Sequence, residues 1–124
     1  MIYLDTHIVV WLYAGEIEKL SKRSIDLINA NDPYISAIVR LELQYLYEIE
    51  RITDTANEII ADLSNRIGLE VCDKNFNDIV MGTLDLSWTR DPFDRIIVAN
   101  AAVNENLLIT RDKNILKNYD LSRW

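Results

Sequence analysis

Twenty of the 124 residues are Asp or Glu and thirteen are Lys or Arg, with a single His and a single Cys. That inventory narrows the chemistry. One His and one Cys cannot supply the ligands of a four-coordinate zinc site or the paired histidines of an H-E-x-x-H helix. Any Ser-His-Asp arrangement would have to use His7, and no G-x-S-x-G turn is present to expose a nucleophile. No glycine-rich loop follows the first apolar run, so the backbone room that a phosphate cradle needs is missing. Carboxylate chemistry remains, and its candidates are Asp5, Glu42, Asp94 and Asp112.

Glu42 is the least expected of them. On a wheel of about 100° per residue, with Ile38 at zero, Glu42 falls near roughly 40°, between Ile49 at roughly 20° and Leu46 at roughly 80°. Arg40, Gln44 and Glu48 cluster on the other side, at roughly 200° to 280°. Glu42 is thus expected within the apolar stripe, where a carboxylate is costly unless paired, protonated or bound to a metal. The other three have simpler explanations. Asp5 can cap the backbone N–H groups of a following helix, although Thr6 can do so too. Asp91 before Pro92 reads as an N-cap, and Asp94 in the same first turn suits the helix dipole. Asp112, between Arg111 and Lys113, can be a turn or cap residue.

The elements that must position these residues alternate. Ile2 to Leu4 reads as a strand and Ile8 to Tyr13 as a helix ending near Gly15. Ser21 to Ala30 is helical, Asn31-Asp32-Pro33 breaks it, and Tyr34-Ile35 is a second strand. Ser36 caps a helix from about Ala37 to Ile49; Thr53 to Arg66 forms another, stopped by Gly68. Leu69 to Cys72 reads as a strand, Asn75 to Leu84 as a helix and Leu86 to Arg90 as a loop. Asp91-Pro92 opens a helix reaching Asn104, Leu107 to Thr110 is a strand, and Asp112 to Tyr119 is a short helix before a terminal edge strand.

Strands alternating with helices, and no hairpin dipeptide such as Asn-Gly, predict an α/β fold: a three-layer α/β/α domain with a short, mainly parallel sheet. No repeat or linker divides residues 1–124, so one domain is expected. Such folds place chemistry at the carboxyl ends of the strands. Asp5 and Asp112 fall at or just beyond strand ends and Asp94 in a helix's first turn, so Asp5, Glu42, Asp94 and Asp112 can converge above one end of the sheet. Two such charges about 4 Å apart repel by roughly 4 kcal/mol at an effective dielectric of 20. Protonation, cationic side chains or a metal must relieve them, and a hard divalent cation suits oxygen ligands.

The composition adds further expectations. A formal net charge of −7 argues against a broad basic face for nucleic acid. Arg90, Arg95, Arg111 and Lys113 lie near the candidate carboxylates in sequence and can form a local basic rim, although Arg95 can instead pair with Asp91 at i,i+4. The apolar opening, Met1 to Tyr13, is interrupted by Asp5 and His7 and lacks a basic segment, so neither export nor a membrane anchor is expected and a cytoplasmic location is. Cys72 is expected as a small core residue. Core is also the default for Trp11, Tyr13, Tyr45 and Tyr47, with Tyr47 the better placed of them for a partner surface.

Four stretches, in order and spacing, resemble the motifs of PIN domains: Tyr3-Leu4-Asp5-Thr6-His7, Leu41-Glu42-Leu43, Asp91-Pro92-Phe93-Asp94-Arg95-Ile96-Ile97 with Ala99 beyond, and Leu108-Ile109-Thr110-Arg111-Asp112. The likeness extends to VapC-like toxins of type II toxin–antitoxin pairs and spans nearly the whole chain. It implies a compact α/β/α fold, Mg²⁺- or Mn²⁺-dependent endoribonuclease activity on RNA, a homodimer and a cognate VapB-like antitoxin. Carried over by position, it implies that Asp5, Glu42, Asp94 and Asp112 are catalytic and metal-binding, with Thr6 and Thr110 as polar support. His7 stands where many relatives have Asn or Ser. An alternative is a PIN-like RNA- or protein-binding module that has lost catalysis; the full acidic set argues against it. Aspartyl-phosphate phosphatases also open with a strand ending in Asp, but they require a second Asp where His7 stands, and a receiver domain's acidic pair and late Lys are not in place.

Overall fold

A computed structural model describes all of Met1–Trp124. Five short strands, β1 (Ile2–Leu4), β2 (Pro33–Ile35), β3 (Glu70–Val71), β4 (Leu107–Ile109) and β5 (Ser122–Arg123), form one sheet in the order β3-β2-β1-β4-β5. Every pairing is parallel. The sheet's centre is almost dry: Ile2, Leu4, Leu108 and Ile109 are fully buried. Unbroken apolar runs of this kind require helices over both faces, giving the three layers. The helices are α1 (Thr6–Ala14), α2 (Lys22–Ala30), α3 (Ala37–Glu48), α4 (Ala56–Ile67), α5 (Phe76–Thr83), α6 (Pro92–Ala102) and α7 (Lys113–Asn118). No helix is long and apolar enough to cross a membrane.

Connectivity determines where a site can form. From β1 the chain steps outward to β2 and β3, then returns across the sheet through α5 and α6 to lay β4 against the other side of β1. The strand order therefore reverses between β1 and β4, and the crevice above their carboxyl ends is the place where open parallel sheets hold ligands. Leu4 aligns with Ile109 in the register, so Asp5 and Thr110 leave the two central strands side by side.

Local signals explain most boundaries. Ser21, Ser36, Thr55, Asn75, Asp91 and Asp112 all cap helices with side-chain oxygens. Gly15 and Gly68 close α1 and α4 at φ of 71° and 70°, a left-handed conformation that glycine adopts without a Cβ penalty.

Several expectations need correction. Helix α4 begins at Ala56 rather than Thr53, because the Thr55 hydroxyl caps it, accepting from the Glu58 N–H and donating to the Glu58 carboxylate. Helix α6 stops at Ala102 rather than Asn104; Glu105 takes a left-handed φ of 53° just beyond. A 3-10 turn at Ile17–Lys19 was not expected. In α3 the inward face is centred on Val39 and Leu43, both fully buried, whereas Ile49 is exposed beyond the last turn. Glu42 consequently flanks the apolar stripe and reaches the edge of the core. Tyr45 is exposed rather than a core residue, Tyr47 is exposed as its place on the outer side of α3 suggests, and Cys72 is only partly buried, accepting a hydrogen bond from the Tyr3 hydroxyl at 3.2 Å.

Candidate active site

The backbone register delivers Asp5 first. Its N–H continues the ladder to Ile109 O at 3.0 Å, and the side chain is held from two directions. The Thr6 N–H donates to Oδ1 at 2.8 Å, and the Thr110 hydroxyl donates to Oδ2 at 2.6 Å across the β1–β4 crevice. Thr110 Oγ1 also accepts the Asp112 N–H at 3.0 Å, so one buried hydroxyl ties two acidic residues to the same point of the sheet. The Thr6 hydroxyl turns the other way and donates to Glu42 Oε1 at 2.5 Å, bringing α3 to the end of β1.

Helices supply the remaining acids. Asp91 Oδ1 accepts from the N–H groups of Phe93 at 2.8 Å and Asp94 at 3.4 Å, capping α6 as its sequence predicted while facing the same crevice. Asp112 Oδ1 caps α7 through Asn114 N at 2.8 Å and Ile115 N at 3.0 Å. Asp94 has no hydrogen-bonding side-chain partner. A cavity of about 330 Å³ is lined by Asp5, Glu42, Asp91, Asp94 and Asp112 together with His7, Trp11 and Arg111. All four carboxylates singled out in the sequence thus meet in one place, joined by Asp91, for which a capping role alone was expected.

Mutual repulsion and burial mark the cluster. Burial pushes the Asp5 carboxyl above the usual range; the Thr110 hydroxyl, the Thr6 N–H and His7 act against that rise. Glu42 is raised for the same first reason, with the Thr6 hydroxyl easing it and the Asp5 charge adding to it. Asp94 is pushed up to about 7 by burial and then by Asp91, Asp5, Asp112 and Glu42, with no donor to offset them. The chain's two ion pairs, Lys19–Glu16 and Arg66–Asp62, both lie outside the cavity. Arg111 shares the cavity but forms no ion pair with its acids.

The basic rim is smaller than the sequence suggested. Arg95 does not pair with Asp91; its Nε donates to Leu86 O at 2.9 Å and anchors the loop before α6. Among Arg90, Arg95, Arg111 and Lys113, only Arg111 lines the cavity. His7 is exposed there. Trp11 in the cavity wall is an addition that the sequence signalled through its i,i+4 spacing from His7.

The donors suit a hard divalent cation: the acidic side chains offer oxygens, and none of them is in an ion pair. No three of these side chains converge closely enough to grip an ion among themselves. An ion held here would take one or two carboxylates and fill its other positions with water and substrate oxygens.

A PIN domain model matches residues 2–121, and the chain belongs to the PIN domain family. The fold is similar to a chain of a toxin–antitoxin complex from Klebsiella pneumoniae, with a TM-score of 0.69 and 19% identity, covering 100% of this chain and 97% of that one. It is also similar to a chain of VapBC2 from Rickettsia felis bound to a promoter DNA fragment, with a TM-score of 0.67, 20% identity and coverage of 99% and 98%. A chain of DNA-bound VapBC from Salmonella typhimurium gives 0.66, 19% identity and coverage of 99% and 96%. No curated protein matches the chain by sequence.

Proposed function

We propose that this chain is a metal-dependent endoribonuclease, the VapC-like toxin of a toxin–antitoxin pair, hydrolysing RNA phosphodiester bonds with Mg²⁺ or Mn²⁺. The observation that carries the proposal is the meeting of Asp5, Glu42, Asp94 and Asp112 in one crevice where none of them is ion-paired. Membership of the PIN family and the likeness to chains of toxin–antitoxin complexes support it.

Asp5 and Asp94 would hold the principal ion, with Glu42 and Asp112 ligating through water or helping to hold a second. When bound, the ion lowers the pKa of an attacking water and offsets charge on the phosphate and the leaving oxygen. The protein's part is positioning. Thr110 and Thr6 hold the Asp5 carboxylate in one orientation, and Thr6 fixes Glu42 beside it. The Asp91 cap sets the first turn of α6 and so the direction of Asp94. Arg111, unpaired with the acids, is free to meet a phosphate oxygen.

A VapB-like antitoxin is the partner that fits this reading, and the chain would pair with a second copy of itself. Exposed Leu41, Tyr45, Phe76, Met81 and Leu84 on α3 and around α5 supply apolar surface for association. An inactive binding module would have no use for five acids around one cavity.

The test is RNA cleavage by the purified chain with Mg²⁺, Mn²⁺ or chelator, beside Asp5→Asn and Asp94→Asn. Cleavage should require the ion and fall by at least about a hundredfold in each variant, the scale of losing a charge that acts in the transition state. Undiminished cleavage in chelator or in both variants would refute the proposal.

A further inference from the structure

Trp11 stands out in the crevice wall. The other lining residues are acidic, His7 or Arg111, and an indole contributes nothing to holding a hard cation. Helix α1 places His7 and Trp11 one turn apart on the same face, with ring centroids 6.2 Å apart and planes at 53°. Behind them Trp124, at the end of β5, meets Trp11 edge-on, 6.2 Å away at 64°. Neither arrangement is a parallel sandwich, so the rings do not cover one another face to face. The Arg111 guanidinium carbon lies 5.6 Å from the Trp124 ring centroid. Arg111 thus lies against an indole and forms no ion pair with the neighbouring carboxylates.

We propose that Trp11 and His7 form a stacking subsite for an unpaired nucleobase, with Arg111, braced on Trp124, receiving the adjoining phosphate. The proposal rests on the nuclease reading for its ligand class and adds where the base lies. A planar π-surface next to a phosphate-directed cation is how proteins hold single-stranded nucleic acid, because every base presents a face for stacking. Bases within a duplex already use both faces on their neighbours, so the subsite favours single strands. A basic peptide arm, which the five acids of the crevice would attract, is the rival occupant that the experiment separates from a nucleobase.

The experiment uses ¹⁵N-labelled full-length chain in Mg²⁺ at low salt, titrated with adenosine 5′-monophosphate or with ribose 5-phosphate, which lacks the base. The chain's three indole N–H signals, from Trp11, Trp88 and Trp124, are assigned with Trp→Phe variants. The Trp11 signal should shift with the nucleotide and stay in place with the sugar phosphate. Nucleotide affinity should exceed sugar phosphate affinity by roughly 5- to 150-fold, the worth of one stacked base. Trp11→Leu should erase that difference and Trp11→Phe retain most of it. Because the wild-type titration needs no substitution, a Trp11→Leu chain that fails to fold leaves the test intact. Equal affinities, an unmoved Trp11 signal or no saturable nucleotide binding would overturn the proposal. RNA cleavage with no base dependence would sink the subsite and leave the nuclease standing; base-dependent binding without cleavage would do the reverse. Tighter binding of a Lys/Arg-rich peptide than of nucleotide at the same Trp11 signal would assign the surface to a protein partner instead.

Discussion

Replacing Asp94 by Asn should make the metal-free protein more stable while removing its activity. Asp94 titrates near 7 in the fold, against an ordinary 3.8, because burial and four neighbouring acids disfavour its charge. Between those values the folded chain keeps a proton that the unfolded chain has released. Stability therefore falls as pH rises from about 4 to about 7, and the loss is complete above 7. The full difference corresponds to about 4 kcal/mol. Asp94 is only half-buried beside an open crevice, and water screening reduces that to about 1–2 kcal/mol. The Asn forfeits attraction to the α6 dipole, about 0.3–1 kcal/mol, and no side-chain hydrogen bond, so roughly 1 kcal/mol of net stabilisation remains. For a chain of this size that is about 4 °C in Tm. Thermal unfolding in chelator at pH 8 and pH 4.5 measures it: Asp94→Asn should melt higher at pH 8 and close to wild type at pH 4.5. Added Mg²⁺ should raise the wild-type Tm at pH 8 and largely spare the variant. An Asp94→Asn protein less stable than wild type at pH 8 in chelator would refute the repulsion described here.

Thr110→Val keeps shape but removes the hydroxyl that donates to Asp5 and accepts from the Asp112 N–H. The buried Asp5 carboxylate and the part-buried Asp112 N–H each lose a partner, so a loss of about 1–3 kcal/mol in urea unfolding is expected, with cleavage sharply reduced. Arg95→Ala should cost about 1–2 kcal/mol by freeing Leu86 O, yet leave cleavage near wild type, because Arg95 does not line the crevice. Gly68→Ala meets no neighbouring atom within 4 Å, so its cost is the left-handed backbone alone, about 1–2 kcal/mol by urea midpoint with cleavage unchanged.

The fold was legible because its signals are local and agree. Apolar triplets such as Ile2 to Leu4, Ser and Asp caps, and Gly68 at a helix end each specify an element, and their alternation specifies a parallel sheet. The site was legible through chain order: Asp5 and Thr110 end neighbouring strands at the point where strand order reverses. Thr55 and Glu58 carry the T-x-x-E signature of a helix start, which could have placed the beginning of α4. Other features depend on tertiary placement. The wheel put Glu42 within the apolar stripe because it took Ile38, Leu46 and Ile49 as that stripe, whereas the buried face is centred on Val39 and Leu43. Arg95 and Arg111 look alike in sequence, yet one is bound by a loop carbonyl and the other faces the acids. Asp91 shows that capping and site-lining coexist, since its two oxygens need not do the same work.

The most direct test is a crystal of the chain grown with Mn²⁺, examined by anomalous scattering. A manganese peak in the crevice, about 2.0–2.3 Å from carboxylate oxygens of Asp5 and Asp94, is the predicted result. A crevice with no peak at millimolar Mn²⁺, or manganese bound only elsewhere, would contradict it.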